Sequence, residues 1–274
     1  MSGSPAPVLK QMTVVQILDA SFRLYRENFM LFMGIMAVPF VPVIIGMIAV
    51  MGMLGGAVQI TPSEDGTINS TQMGLAIAGL VSMGFFLLLY LIAVPIARGA
   101  LTRAVSDRYL GKTASFGESY RAIFSIFWRY LGTTMLVGLV MGIGFLLCLI
   151  PGIFFFTFFA FVPMIMIIEG LAGTDAMGRS FNLSSGHRLR VLGLAVLTVV
   201  INWFLGIIIS LVFDVILPRF VDSPTLLSML NMGVSQVVAL LLEPVWTLSF
   251  ILLYYDVRIR KEAFDLHLMA LRAS

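Results

Sequence analysis

One polar stripe crosses an otherwise apolar run near the end of the sequence. Gln236, Glu243 and Thr247 are spaced so that, at about 100° per residue, they lie within about 40° of one another on a helix. A carboxyl group among apolar helices needs a hydrogen-bonding partner. Asn202, at similar depth in the preceding apolar run, is a candidate donor to Glu243. The spacing therefore predicts an intramembrane polar cluster of Gln236, Glu243, Thr247 and Asn202.

Two interpretations of this cluster remain open at the level of the sequence. In the first, Glu243 is a structural clamp that hydrogen-bonds the fifth apolar helix to the sixth. In the second, Glu243 is a protonatable or ion-binding group on a transport path, because an ionisable side chain inside a membrane is often functional.

Residues suited to catalysis are sparse elsewhere in the chain. The two histidines, His187 and His267, lie near separate charged runs, and Cys148 is the single cysteine. The sequence has no HExxH or CxxC pattern and no phosphate-binding GxxxxGK[ST] loop. We therefore expect a protein that is not an enzyme and that carries no cofactor and no metal.

The composition indicates an integral membrane protein. Of the 274 residues, 59% are hydrophobic and 11% charged, and the mean hydropathy is +1.03. Several nearly uncharged runs are long enough to cross a hydrocarbon core of about 30 Å. The polar, Pro-rich start predicts no cleaved signal peptide. We expect a single integral membrane domain over residues 1–274, with spans at about 29–54, 73–97, 131–150, 153–169, 191–216 and 233–255.

The run from 131 to 169 is too long for one crossing at about 1.5 Å per residue. Pro151 and Gly152 interrupt it, and these residue types favour chain reversal. The pattern predicts a tight helical hairpin that turns at these two residues, with a single kinked, tilted helix as the alternative.

The distribution of basic residues predicts the orientation. With six spans, 16 of the 17 Lys and Arg residues fall on one side and only Arg219 falls on the other. Lys and Arg are enriched on the cytoplasmic side of membrane proteins. Both termini, including a tail over residues 256–274, are therefore expected to be cytoplasmic.

A segment that precedes each odd-numbered span is repeated without gaps. The three copies begin at Ser21, Ser119 and Ser180 and read SFRLYRENFMLFMG, SYRAIFSIFWRYLG and SFNLSSGHRLRVLG. Capping boxes precede the first two at Thr13 and Ser115, and Thr174 offers a cap residue to the third. We expect amphipathic interfacial helices at about 13–28, 115–129 and 174–189, each followed by a transmembrane hairpin.

Basic residues near these segments form a belt that could bind anionic lipid headgroups, each contributing about 1 kcal/mol near an anionic leaflet. A membrane-protein partner is the alternative ligand of the belt. Nucleic acid is not expected, because the positive-inside distribution already explains the basic residues. The members of the predicted belt are Arg98, Arg103, Arg108, Lys112, Arg121, Arg129, Arg188 and Arg190.

The stretch that begins PGIFFFTFFAFVPMIMIIEG and the ending LLYYDVRIRKEAFDL resemble a family of bacterial six-helix membrane proteins, as does FRLYRENF near the start. This family is known as the glycerophosphoryl diester phosphodiesterase membrane domain and has YciC-like relatives. The resemblance implies the fold, without the catalytic phosphodiesterase domain and without catalytic residues in the membrane part.

These observations predict an all-α polytopic protein with six transmembrane helices in three hairpins. The expected function is that of a non-catalytic scaffold or membrane-organising partner in the bacterial inner membrane. The alternative is a small-solute or lipid transporter that uses the polar stripe around Glu243.

Overall fold

The computed structural model describes residues 11–58 and 70–262, and the regular elements in these ranges are helices. The N-terminal ten residues and the tail beyond 262 lie outside the described part. The helices are α1 (Val14–Glu27), α2 (Phe29–Val58), α3 (Ser70–Tyr109), α4 (Phe116–Phe124), α5 (Phe127–Leu147), α6 (Leu149–Phe159), α7 (Val162–Ile168), α8 (Gly173–Ser184), α9 (Arg188–Ile216) and α10 (Pro224–Glu262), with a 3-10 turn at Leu217–Arg219.

Six helical stretches are long and apolar enough to cross a membrane, which confirms the all-helical class and the number of candidate spans. The fourth of them combines α6 and α7. The six stretches are Phe29–Val50, Met73–Tyr109, Phe127–Leu147, Leu149–Ile168, Arg188–Arg219 and Leu226–Glu262.

The helix that contains the second span continues well past the predicted boundary at residue 97. Helix α3 runs to Tyr109, so Arg98 and Arg103 lie on a helix and not in a loop. An ion pair one turn apart, Arg103 to Asp107 at 2.9 Å, supports this extension. Gly111 then adopts a φ of 74°, the left-handed conformation that commonly follows a helix C-terminus.

The break between α5 and α6 lies at Cys148, three residues before the predicted position. Cys148 is extended, with φ −171° and ψ 154°, and α6 begins at the next residue. Pro151 lies inside the first turn of α6, where its missing N–H costs no helical hydrogen bond. Close packing of α5 on α6 requires glycine at Gly144, because a Cβ there would lie 2.4 Å from the ring of Phe155.

The chain divides into two compact units. The first contains residues 11–36, 95–200 and 243–262 among those described, and the second contains 37–58, 70–94 and 201–242. Helices α2, α3, α9 and α10 each contribute to both units.

The repeated segments occupy equivalent buried positions in the first unit. Their first serines, Ser21, Ser119 and Ser180, are each at most 1% exposed. The residues four and eleven positions further along are also buried in all three copies. These residues are Tyr25, Phe32, Ile123, Tyr130, Ser184 and Val191. The shared sequence pattern therefore corresponds to a shared packing position, because the same faces of the three segments are turned into the unit.

Two of the three serines bond within their own helix, and the third reaches another helix. Ser21 and Ser119 donate to carbonyl oxygens four residues earlier, each at 2.8 Å. Ser180 on α8 donates to the carbonyl oxygen of Phe158 at 2.7 Å and accepts from the amide of Phe161 at 3.3 Å. Ser180 thus fastens α8 to the C-terminal end of α6.

The helix caps differ among the three repeats. Thr13 and Gln16 form the predicted capping box at the start of α1, and the Ser115 side chain accepts from the amide of Glu118. The expected cap at Thr174 is wrong, because α8 begins at Gly173 after an extended Ala172. A tertiary contact replaces the local cap, since the Gly173 amide donates to the Thr133 hydroxyl of α5 at 2.9 Å.

Helix α10 is the most enclosed of the candidate spans. In the most apolar 18-residue segment of its span, 61% of the residues are buried. In the corresponding segments of α3 and α9, only 11% and 6% of the residues are buried. In the first unit the residues from 247 to 257 are all buried. The part of the predicted tail from 256 to 262 is therefore helical, and Asp256 lies in the protein interior.

The second unit is closely packed where α2 meets α3. A Cβ at Gly46 would lie 1.9 Å from the ring of Phe86, so only glycine fits under this ring. The rings of Phe40 and Tyr90 meet edge to face with centroids 5.9 Å apart. Both contacts join α2 to α3 inside this unit.

Candidate functional site

The Glu243 carboxylate is paired with an arginine of α3. The Arg98 Nε donates to Glu243 Oε1 at 2.5 Å. The side chains of Arg98 and Glu243 are 45% and 20% exposed, so the pair is partly exposed. This ion pair joins α3 to α10 across 145 positions of sequence.

The predicted polar cluster is divided between the two units. Glu243 and Thr247 lie on the part of α10 that belongs to the first unit, whereas Gln236 and Asn202 belong to the second. Sequence reasoning proposed Asn202 as a donor to Glu243, and the structure shows a donor that it did not propose, Arg98, a member of the predicted lipid-binding belt.

Thr247 follows Glu243 by one helical turn and faces the protein interior. The residue is 4% exposed, and its hydroxyl has no hydrogen-bond partner among the described groups. Thr247 thus points into the first unit, whereas Glu243, one turn earlier, pairs with Arg98 and stays partly exposed.

A second charged group lies deeper in the first unit. Asp256 is fully buried, and its carboxylate accepts from Arg190 and Arg260, each at 2.9 Å. The same carboxylate accepts from the amide of Met12 at 2.7 Å. Arg190 also donates to the carbonyl oxygen of Met12 at 2.6 Å. Asp256 thus connects the chain segment before α1, the start of α9 and the end of α10.

A third charged group surrounds Glu169 at the end of α7. Arg179 binds it through two nitrogens, with Nε to Oε2 at 2.8 Å and Nη2 to Oε1 at 3.3 Å. Arg179 also contacts Glu262 at 2.6 Å, and Tyr254 donates to Glu169 at 2.7 Å. Hydrogen bonds to Glu262 and then to Glu169 hold the pKa of Arg179 above its ordinary value, so this cation is firmly charged.

Sequence reasoning missed these last two groups, although the final helix carried a signal for them. In DVRIRKE, Asp256 and Arg260 are four residues apart, as are Arg258 and Glu262. Such spacing favours ion pairs on one helix, and both pairs are present. The partners Met12, Arg190, Glu169 and Arg179 are remote in sequence and could not be found in this way.

The predicted belt separates into two sets of basic residues. Four members contact other side chains. Arg98 forms an ion pair with Glu243, and Arg103 forms one with Asp107. Arg190 binds Asp256, and Arg188 packs on aromatic rings. The other four are exposed and lie between the end of α3 and the start of α5. These are Arg108, Lys112, Arg121 and Arg129.

Aromatic side chains accompany this exposed basic set along α4 and the start of α5. The rings of Phe116, Tyr120, Phe124, Phe127 and Trp128 follow one another with centroids 4.9 to 6.3 Å apart. Trp128 is 79% exposed. Aromatic rings beside exposed cations are typical of a membrane–water interface.

Tyr120 anchors this aromatic row to the first unit. Its hydroxyl donates to the carbonyl oxygen of Ile35 at 2.6 Å, which links α4 to α2. Burial raises the pKa of Tyr120 to about 12. The hydroxyl therefore stays protonated and remains a donor at physiological pH.

Arg188, at the start of α9, lies against two aromatic rings. Its guanidinium carbon is 4.3 Å from the ring centroid of Phe158 and 4.9 Å from that of Phe181. Such cation–π contacts stabilise a partly desolvated arginine by roughly 0.5–2 kcal/mol. Arg188 thus packs against α6 and α8.

The described residues contain no group of three His, Cys, Asp or Glu side chains placed to hold a metal ion. The described part of the chain is helical and contains six stretches long and apolar enough to span a membrane. Residues 113–256, more than half of the sequence, match the family described as Domain of unknown function (DUF7847), and the chain belongs to that family. The matched part covers α4 to α9 and most of α10. No curated protein and no solved structure matches the chain.

Proposed function

We propose that this protein is a non-catalytic scaffold of the bacterial inner membrane that binds anionic lipid headgroups on its cytoplasmic side. Its six spans form three hairpins, each preceded by an interfacial helix, and both termini face the cytoplasm. The resemblance to the membrane domain of glycerophosphoryl diester phosphodiesterases is part of this proposal. It implies a membrane-embedded fold that works beside partners.

The orientation is supported by the unequal distribution of charge. Sixteen of the 17 basic residues would face the cytoplasm if six spans are crossed, and only Arg219 would face the other side. The repeated burial of Ser21, Ser119 and Ser180 favours three equivalent hairpins, since each segment enters its span with the same face inward.

One observation carries the lipid-binding proposal: four exposed cations lie beside an exposed aromatic row. Arg108, Lys112, Arg121 and Arg129 remain accessible, whereas Arg98, Arg103 and Arg190 are used in ion pairs. At about 1 kcal/mol each, four accessible cations would favour an anionic leaflet by up to about 4 kcal/mol.

The remaining charged groups join helices within the first unit. The groups around Asp256 and Glu169 pair opposite charges inside the first unit and connect helices that are far apart in sequence. The apolar side chains exposed along α3 and α9 offer additional surface to lipid or to another membrane protein. Both features suit a scaffold.

Trp128 permits a direct test of headgroup binding. Replacing Trp203 and Trp246 with Phe leaves Trp128 as the single tryptophan. Its fluorescence should then be quenched more strongly by brominated phosphatidylglycerol than by brominated phosphatidylcholine in nanodiscs. Changing Arg108, Lys112, Arg121 and Arg129 to Gln should reduce this preference at least tenfold, because about 4 kcal/mol of attraction is removed.

Arg219→Gln is the matched control, since Arg219 is exposed but would lie on the opposite side. This control should leave the lipid preference unchanged. Equal quenching by the two lipids before mutation, or an equal preference after the fourfold substitution, would contradict the proposed headgroup site.

A carrier that uses the polar stripe is the second candidate function. Two observations favour it: the Arg98–Glu243 pair is partly exposed, and the buried Thr247 hydroxyl beside it lacks a described partner. A proton-coupled carrier should acidify proteoliposomes that contain pyranine, and Glu243→Gln should abolish this flux. Flux that persists in the Gln variant would exclude the carrier, whereas a scaffold should show no such flux.

A further inference from the structure

A cavity lies in the second unit between the facing sides of α9 and α10. Its volume is about 220 Å³. Helix α9 contributes residues at positions 206, 209, 210 and 213, and α10 contributes positions 231, 234, 235 and 238. Each set has the i, i+3, i+4, i+7 spacing of one helical face. The cavity is therefore bounded by two helix faces, is partly open, and does not lie between loops.

The lining combines a mostly apolar wall with three neutral polar side chains. These are Ser210, Asn231 and Ser235, and none of the side chains described around the cavity is charged. Serine hydroxyls and the asparagine amide can both donate and accept hydrogen bonds. Ser210 already donates to the carbonyl oxygen of Ile207 at 3.1 Å, so its oxygen is available as an acceptor.

Gly206 contributes to the volume of the cavity. A Cβ placed on Gly206 would meet no atom within 4 Å, so this glycine does not serve close helix packing. A larger side chain at this position would extend into the cavity without displacing the backbone. Gly206 therefore offers a way to fill the cavity by substitution.

The depth of the cavity along its helices indicates which part of a lipid could enter. Ser210 precedes the end of α9 at Ile216 by six residues, and Asn231 follows the start of α10 at Pro224 by seven. At about 1.5 Å per residue both lie about 10 Å from the helix ends. With its headgroup layers a bilayer is about 40–45 Å thick, which is about the length of the 29-residue α9, so a depth of about 10 Å below the end of this helix is that of the glycerol region and the first acyl carbons.

We propose that this cavity binds the glycerol headgroup of an uncharged, hydroxyl-bearing lipid of the diacylglycerol class. The lipid hydroxyl and ester oxygens exchange hydrogen bonds with Ser210, Asn231 and Ser235, while the acyl chains lie along the apolar wall and the exposed helix surface. A phosphate headgroup would bring an uncompensated charge into this neutral lining, which is costly at low dielectric. This inference rests on the six-span arrangement but not on the cytoplasmic belt.

A photoactivatable diacylglycerol with a diazirine in one acyl chain tests the proposal in nanodiscs of phosphatidylcholine. The label should map to residues 206–238, and unlabelled diacylglycerol should compete with it. Gly206→Leu should reduce labelling of this region at least fivefold because it fills the cavity. Gly84→Leu is the matched control, since a Cβ at Gly84 also meets no atom within 4 Å and Gly84 does not line the cavity.

A second variant distinguishes the contribution of hydrogen bonding from that of cavity volume. Asn231→Leu combined with Ser235→Ala keeps the volume similar but removes two polar groups, and it should weaken competition by unlabelled diacylglycerol about fivefold. Equal labelling of the wild type, Gly206→Leu and the double variant would overturn the proposal. Competition by phosphatidic acid or by a cationic amphiphile as strong as that by diacylglycerol would also overturn it, because the site would then accept charge. The belt variants should leave this labelling unchanged, so the two hypotheses fail independently.

Discussion

Asp256 provides the sharpest test of how the first unit is held together. Its carboxylate is fully buried and accepts three strong hydrogen bonds, from Arg190, Arg260 and the amide of Met12. Asp256→Asn preserves the shape of the side chain but removes its charge. Arg190 and Arg260 would then lie close together without the carboxylate that pairs with both.

The size of the effect follows from the burial of the three charged groups. Breaking a fully buried ion pair by removing one partner costs about 3–5 kcal/mol. The side chains of Arg190 and Arg260 are 28% and 23% exposed, so water relieves part of this cost. We expect a loss of about 3 kcal/mol, which corresponds to a fall in Tm of about 6–12 °C for a chain of this size.

Thermal unfolding in detergent measures this loss, and Asp107→Asn supplies the matched control. Asp107 pairs with Arg103, whose side chain is 43% exposed, on the same helix, so its substitution should cost no more than about 0.5 kcal/mol. Hydrogen exchange should also increase in residues 11–27 of the Asp256 variant only, because the anchor of Met12 is lost. Equal Tm values for the two variants would refute the reasoning that Asp256 is a buried charge centre.

Three further predictions concern contacts between helices. Thr133→Val should destabilise the protein by about 1 kcal/mol and increase exchange at the start of α8, because the Gly173 amide loses its acceptor; unchanged exchange would contradict this. Since the pKa of Tyr120 is raised to about 12 from 10.0, its stabilising contribution should be complete below pH 10 and lost as the pH rises through 12, and Tyr120→Phe should flatten this part of the stability curve. A double-mutant cycle with Arg98→Gln and Glu243→Gln should give a coupling of about 1 kcal/mol in unfolding experiments; a coupling near zero would show that the pair does not join α3 to α10.

The repeated segments show what local sequence could and could not reveal. The shared pattern predicted three helices, and the serines of the three segments are equally buried; the second and third helices end at Phe124 and Ser184, about five residues before the predicted ends at 129 and 189. The shared glycines, Gly34, Gly132 and Gly193, have open space around a hypothetical Cβ, so close packing does not explain them. The cap of the third repeat was missed because Thr133, its acceptor, lies 40 residues away.

Glu243 also shows the difference between what local sequence can reveal and what depends on another helix. The helical wheel predicted an inward direction for Glu243, since periodicity is a property of one helix. It could not identify Arg98, because Arg98 lies on another helix that continues beyond the predicted end of its span. The short run of helix-favouring residues after residue 97 carried only a weak signal for that extension.

The helical class, the six apolar stretches and the asymmetry of basic residues were determined by the sequence alone. Each is a property of consecutive residues, because hydropathy, helical periodicity and charge need no knowledge of other segments. Only the tertiary structure decided the partners of Glu243, Glu169 and Asp256, the division into two units and the cavity between α9 and α10. These features depend on which helix faces meet, and side chains many residues apart become neighbours only after the helices have packed.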